Sequence, residues 1–347
     1  MNKVQERPLV TFALLAYNQE AYVREAVAGA LAQDYEPLQV VLSDDCSVDR
    51  TFEIMQEIVA AYRGPHRLVL NRNRRNLGIG GHVNKIVDLA RGELIIGAAG
   101  DDISLPERAS ELVNAWLNGG RVATSIYSGL TLIDNKGREI GQQSRYEPAL
   151  KDLARISRDP CAPYGAAHAF TRELMTRFGH IDSAVTYEDQ VIGYRSALSG
   201  EFAYVDKPLV KYRIHEASIC SGLYSTKSQR PAELKSHFLK TARYAIAFRS
   251  QNLNDARRVR ENGDAIFAIL RSQIAENKYR EFLYSRVFGI SVALKELKVA
   301  HASGGRLSAL GKDFLKALSW PIYAAYYDSR RRLSVCRQRA VAWLGFS

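Results

Sequence analysis

The chain has 347 residues, enough for two domains or for one large domain with an appendage. With 46% hydrophobic and 24% charged residues it has the make-up of an ordinary globular protein, which excludes disordered, collagen-like and disulfide-scaffold chains. Lys and Arg outnumber Asp and Glu by 48 to 37, and a net charge of +11 points to a polyanionic partner or an anionic membrane surface.

That surplus is local. Residues 225–347 carry 23 Lys and Arg against 9 Asp and Glu, whereas residues 1–224 carry 25 against 28. The charge thus divides the chain into a slightly acidic part, 1–224, and a basic part, 225–347, with different work to do. Cys46, Cys161, Cys220 and Cys336 are scattered without C-x-x-C spacing, which reads as reduced thiols in a cytosolic protein. The apolar run 9–16 has no cleavage-site pattern and reads as a strand, not a secretory signal. The run 315–327 contains Lys316 and Pro321 and is shorter than the roughly 20 residues of a spanning helix, so no membrane span is expected.

In chain order, short runs rich in Leu, Val and Ile at 9–16, 38–42, 68–70 and 94–98 predict buried strands. Helix-period segments at 20–32, 49–62 and 80–90 alternate with them, and repeated strand, helix, strand units imply a doubly wound, mostly parallel α/β sheet. Residues 122–140 predict an antiparallel hairpin turning at Asp134-Asn135-Lys136-Gly137. The stretch 141–163, with Pro148, Pro160 and Pro163, loses periodicity and reads as irregular or partly helical. A small-residue strand near 164–170, a helix over 171–178, a helix opened by Tyr187-Glu188-Asp189-Gln190 and a strand over 207–215 complete this part.

After residue 225 only helical patterns remain. Leu283, Val287, Ile290, Leu294 and Leu297 draw one apolar stripe, and Leu307, Leu310, Phe314 and Leu318 a second. Beyond Pro321 come Tyr323, Tyr326 and Tyr327, then Arg330-Arg331-Arg332, Arg337 and Arg339. Apolar stripe, interfacial aromatics and arginines suit an amphipathic helix on an anionic membrane surface; a helical subdomain or a homo-oligomer interface is the alternative.

Ligands of such a sheet bind at the carboxyl ends of its strands, and there the chain is acidic. Tyr17-Asn18-Gln19-Glu20 follows the first strand, Ser43-Asp44-Asp45-Cys46-Ser47 with Asp49 the second, and Gly100-Asp101-Asp102 the fourth. Helix capping accounts for Asp49 alone and a helix first turn for Pro106-Glu107. Neither accounts for two Asp-Asp pairs, whose mutual repulsion calls for a bound cation or a hydroxyl-rich ligand.

Taken in order, these segments resemble family 2 glycosyltransferases, inverting enzymes of the GT-A fold. The resemblance rests on Ala16-Tyr17-Asn18-Gln19-Glu20, Ser43-Asp44-Asp45, Asn76-Leu77-Gly78 leading to Asn84, Gly92-Glu93, Gly100-Asp101-Asp102 with Leu105-Pro106, Glu188-Asp189, and Tyr212-Arg213-Ile214-His215. It covers about three fifths of the chain and leaves out the C-terminal helices. It implies a GT-A domain over 1–224 with a helical extension over 225–347, a nucleoside-diphosphate sugar donor (UDP, dTDP or GDP), and transfer to an acceptor hydroxyl with inversion. It implies further that Asp44 or Asp45 contacts base or ribose, that Ala16, Tyr17, Asn18 and Glu20 wall the same pocket, and that Glu188 and Arg213 serve the donor. Asp101, Asp102 and His215 would hold Mn²⁺ or Mg²⁺ against the diphosphate, with Asp101 also near ribose. Many relatives carry Asp-x-Asp-Asp where this chain has Ala99-Gly100-Asp101-Asp102, so the first acid of that motif is absent.

Chemistry supports these roles independently. A departing diphosphate accumulates negative charge that a carboxylate-held divalent cation neutralises, and a lone Asp pair can hold Mg²⁺ because that ion keeps water and phosphate oxygens. Single displacement also needs a base on the opposite face of the sugar, and Asp189 matches the family's base position. Tyr187 and Arg195 would shape the acceptor pocket. The expected setting is synthesis of bacterial surface polysaccharide on a glycan or lipid-linked acceptor, by a cytoplasmic protein peripheral on the inner face of the cell membrane. A non-catalytic nucleotide-sugar binder keeps the fold and drops the chemistry. A nucleic-acid binder rests on charge alone, with no recognition motif beside it. A dinucleotide enzyme would place its glycines after the first strand, where Tyr17-Asn18-Gln19-Glu20 stands, not at Gly78-Ile79-Gly80-Gly81.

Overall fold

The computed structural model describes residues 7–143, 150, 152–215, 231–261, 264–285 and 290–318. Strands β1 (Val10–Ala16), β2 (Leu38–Asp44), β3 (Arg67–Arg72) and β4 (Leu94–Ala99) form its parallel half, in the order β3-β2-β1-β4. All seven residues of β2 are buried, as a strand covered on both faces requires. On one face pack α1 (Val23–Leu31), α2 (Thr51–Ala61) and α4 (Arg108–Asn118), around Phe12, Leu14, Val40, Leu42 and Ile96. On the other, Ala13, Val41 and Ile95 meet α3 (Gly78–Leu89), α6 (Arg172–Phe178) and α7 (Glu188–Ser199).

Beyond β4 the sheet becomes mixed, so the expected parallel character holds for its first half. Strand β8 (His168–Thr171) pairs antiparallel with β4 and with β6 (Ala123–Ile133), while β9 (Glu201–Arg213) runs parallel to β6. Two-residue β5 (Ile103–Ser104) lies antiparallel to β9, and β7 (Glu139–Gln143) closes the expected hairpin with β6. Its turn forms because Asp134 Oδ1 accepts the Lys136 and Arg138 amides at 2.9 and 3.0 Å and Gly137 takes φ +79°. The irregular stretch holds one short helix, α5 (Leu153–Arg158), capped by the Asp152 side chain.

The basic third is helical: α8 (Pro231–Arg257), α9 (Ala265–Ser285), α10 (Ile290–Ala302) and α11 (Leu307–Leu318). The first two share a core with the sheet. Phe248, Leu253, Ile266, Phe267 and Leu270 pack in one cluster with Val83, Ile86 and Phe170, so no boundary in the core coincides with residue 224. The first apolar stripe is divided between α9 and α10, and Leu283, Leu297, Leu310 and Phe314 face one another in a small satellite core. Leu294 and Leu307 point outward, 44% and 54% exposed. Val287 and everything after Leu318, including Tyr323, Tyr326, Tyr327 and the arginines, lie outside the described residues. Among those described, no helix is long and apolar enough to cross a membrane.

Candidate active site

The loops after β1 and β2 are zipped together. The Asn18 amide donates to Ser47 Oγ at 2.9 Å, the Gln19 amide to Thr51 Oγ1 at 2.7 Å, and the Glu20 amide to Asp49 Oδ2 at 3.0 Å. In return Asn18 Oδ1 accepts the Val48 amide and Glu20 Oε2 the Arg50 amide. Asn18 and Cys46 sit in the left-handed region at φ +52° and +63°, so the two turns are held by this lattice of bonds. The tight turn at Cys46 also sends the neighbouring acids apart. Asp44 faces inward, fully buried, and accepts from the Ser47 amide and hydroxyl with Arg72 Nε 3.5 Å away. Asp45 faces a cleft, where its Oδ1 accepts from Asn73 Nδ2 at 2.8 Å and from the Leu77 amide at 2.9 Å.

After β4 the chain turns at Gly100. A Cβ there would sit 2.4 Å from Gln19 Oε1 and 2.6 Å from Ala16 Cβ, so the turn has no room for a side chain at this position. Asp101 turns to the cleft and its Oδ2 lies 3.0 Å from His215 Nε2. Asp102 lies deeper, with Oδ1 accepting the Arg213 amide at 2.8 Å and Oδ2 buried and, among the described residues, without a partner. Burial first, and then the neighbouring Asp101 charge, push its carboxyl well above the ordinary range. Arg213 is 2% exposed, and its guanidinium donates to the Asp101, Asp134 and Asn135 carbonyls and pairs with Glu25 over the Tyr22 ring.

The third wall is the start of α7. Glu188 and Asp189 occupy its first turn, favoured there by the helix dipole. Burial raises Glu188 to about 8, with the Asp189 charge adding to it, and burial raises Asp189 to about 6 against the bonds it accepts from the Gln190 and Gly165 amides. The pair therefore holds one proton at neutral pH. Gly165 makes room for it, since a Cβ there would lie 2.9 Å from Glu188 Oε1. The preceding segment is tied to α3: Asn84 donates to the Ile181 carbonyl at 2.7 Å and accepts its amide at 2.8 Å. Gly80 lets the backbones close up, because a Cβ there would lie 2.8 and 2.9 Å from the Val185 and Asp182 carbonyls.

These walls enclose a cleft of about 490 Å³, the size of a small-molecule site. Asp45, Asp101, Asp102, Glu188, Asp189 and His215 all line it. Its floor is uncharged: burial pushes His168 down to about 3, helped by Arg108, and burial also lowers His82. Among the described residues no three His, Cys, Asp or Glu side chains converge as a complete metal cage. The Asp101 and His215 pair nevertheless suits a divalent ion that keeps phosphate and water ligands, and the partnerless Asp102 Oδ2 lines the same wall.

Of the expected donor contacts, Ala16, Tyr17, Asn18, Asp45, Asp101 and Glu188 reach the cleft. Three lie elsewhere for stated reasons. Asp44 is spent on the Ser47 turn, Glu20 on the Arg50 amide, and Arg213 on clamping the Asp101 turn from behind. Arg195 is likewise buried, in an ion pair with Asp255 at 2.8 Å, and does not line the cleft as Tyr187 does. Sequence reasoning missed His82, His168, Tyr164, Gly165 and the 183–186 segment. For the last a signal existed: Gly80 and Asn84, four apart on one helix face, mark a close approach by another chain segment.

A model of glycosyl transferase family 2 matches residues 11–171. An uncharacterized glycosyltransferase of Nostoc sp. is 25% identical over 239 residues, 67% of this chain and 73% of that protein. An uncharacterized Mycobacterium tuberculosis protein is 27% identical over 220 residues, 61% of each chain. Among solved structures, S. aureus TarS 1–349 in complex with UDP-GlcNAc superposes with a TM-score of 0.54 at 18% identity, over 93% of this chain and 91% of that one. The Pyrobaculum calidifontis mannosyltransferase in complex with GDP-Man and Mn²⁺ gives 0.53 at 18% identity, over 93% and 85%. The fold is GT-A, and residues 11–171 carry the match to glycosyl transferase family 2.

Proposed function

We propose that this protein transfers a sugar from a nucleoside-diphosphate donor to an acceptor hydroxyl by a single inverting displacement. The observation that carries the reading is the convergence, in one cleft, of Asp45, the Asp101 and His215 pair, and a Glu188 and Asp189 pair sharing one proton. Asp45, braced by Asn73 and the Leu77 amide, presents its carboxylate to the base or ribose hydroxyls. Asp101 and His215, with Asp102 behind them, would hold Mn²⁺ or Mg²⁺. When bound, that ion supplies Lewis-acid neutralisation of the charge gathering on the departing diphosphate. Asp189, ionised at neutral pH, takes the acceptor O–H proton as that oxygen bonds to the anomeric carbon. The carbon–oxygen bond to the diphosphate breaks, and its electron pair leaves with the nucleotide. Glu188, protonated at the same pH, keeps a second negative charge away from the base and can donate to a sugar oxygen.

Tyr164 and Tyr212, with ring centroids 6.0 Å apart, and Tyr187 offer aromatic faces to a saccharide on the acceptor side. The complexes of two structural neighbours with UDP-GlcNAc and GDP-Man support the donor class. A glycan or lipid-linked acceptor of surface polysaccharide synthesis fits the basic residues 225–347, whose charge complements an anionic bilayer. The test is thermal stabilisation by UDP, GDP or dTDP with Mn²⁺, followed by turnover of a nucleotide-sugar panel. At a hundred times its dissociation constant the right nucleotide adds about 2.7 kcal/mol. Stabilisation by none of the three refutes the reading, and binding without turnover of any sugar leaves a non-catalytic binder.

A further inference from the structure

Helix α8 belongs to the basic helical third, yet it touches the 179–189 segment at three successive points. Arg195, on α7, donates from Nε to Asp255 Oδ2 at 2.8 Å and from Nη1 to the Gly179 carbonyl at 2.8 Å, so Asp255 holds the guanidinium that anchors the start of the segment. Gln251 donates to Asp255 Oδ1 at 2.9 Å and accepts the Asp182 amide at 3.1 Å. Tyr187, two residues before Asp189, meets Tyr244 edge-on at 5.6 Å and Phe248 at 6.5 Å. From the other side α3 holds the segment through Asn84 and Ile181. Asp45 and Asp101, by contrast, take their bracing bonds, among the described residues, from Asn73, Leu77 and His215.

We propose that Gln251 and Tyr244 are positioning residues of the transfer step: α8 sets the 179–189 segment, and through it Asp189, while leaving the nucleotide subsite to the parallel half of the sheet. The proposal rests on the reading of Asp189 as base. Ile181 and Val185 bury the segment's apolar side in the shared core, while the polar bonds and ring edges set its exact position; loss of one of them shifts the segment, and a displacement of about 1 Å at a reacting group can cost on the order of a hundredfold in rate.

The experiment uses the full chain with Gln251→Ala, Tyr244→Ala and the ring-preserving Tyr244→Phe. Affinity for UDP, GDP and dTDP with Mn²⁺ is measured beside turnover of the corresponding nucleotide sugars, and amide exchange is followed over 181–187. The two Ala variants should lose tenfold or more in kcat with nucleotide affinity within twofold, and exchange at 182–187 should rise while that at 76–84 does not. Their kcat should also lose its acidic limb near pH 6, since a displaced Asp189 is better hydrated and ionises lower. Tyr244→Phe should keep wild-type turnover. Unchanged exchange over 182–187, or affinity and turnover falling together in step with melting temperature, overturns the proposal. Asp189→Asn in the same assays is the control: full turnover there sinks the assigned base, whatever the α8 variants do.

Discussion

Replacing Asp189 by Asn keeps the shape of the first turn of α7 and removes the group assigned to take the acceptor proton. The Asp189 carboxyl is raised to about 6, so about nine tenths of the wild-type enzyme carries the ionised base at pH 7 and about one tenth at pH 5. Wild-type kcat should therefore be level between about pH 7 and the ionisation of Glu188 near 8, and fall nearly tenfold for each unit below 6. General-base catalysis contributes roughly a hundredfold to ten-thousandfold, or about 2.7 to 5.5 kcal/mol of barrier. Asp189→Asn should lose that much kcat and the acidic limb with it, while nucleotide affinity stays within twofold, because Asp45 and Asp101 are braced without reference to α7. The assay is release of nucleoside diphosphate from the cognate sugar nucleotide between pH 5 and 9, beside nucleotide binding followed by thermal shift. Retained kcat, or an unchanged acidic limb in the variant, would refute the assignment.

Glu188 is an acid whose carboxyl is raised in the folded protein, so its contribution to stability is complete below the ordinary Glu range and is lost as pH rises towards 8. Glu188→Gln should accordingly raise the melting temperature at pH 8.5 by more than it does at pH 5. Asp255→Asn leaves the fully buried Arg195 charge without its partner and should cost about 3 to 5 kcal/mol in urea unfolding, whereas the apolar pair Arg195→Met with Asp255→Leu should unfold close to wild type. Gly100→Val drives side-chain atoms into Gln19 and Ala16 and should cost about 1 to 3 kcal/mol, with nucleotide binding weakened because the β1 loop must move.

Read along the chain, the parallel half of the fold is legible because strands buried on both faces are unbroken apolar runs, and β1, β2 and β4 lie where those runs lie, while β3, expected buried, is a half-buried edge strand. The acids at the ends of β2 and β4 are legible because a doubly wound sheet leaves its ligand side to the residues that follow each strand, whereas those at the start of α7 are legible only through the family resemblance. The second half of the sheet is not. Two-residue β5 owes its existence to β9, and the order β4-β8-β6-β9 rests on pairings between strands far apart in sequence, which no local period records.

What the residues determined by themselves, then, is the alternation of elements, the resemblance to a family, and the kinds of side chain at the carboxyl edge. The tertiary structure decided which of those side chains face the cleft. Asp45 faces it and Asp44 does not because Cys46 turns left-handed and Ser47 claims the first acid. His215 faces it and Arg213 does not because β9 ends at Arg213, whose guanidinium is drawn back under Asp101 and Tyr22, while His215 lies beyond the strand and beside Asp101. The same holds for the basic third, where the apolar stripes are readable and their direction is not. Leu283, Leu297, Leu310 and Phe314 turn towards one another, and α8 turns towards the 179–189 segment, because the partner of an amphipathic face is chosen by packing that only the folded chain contains.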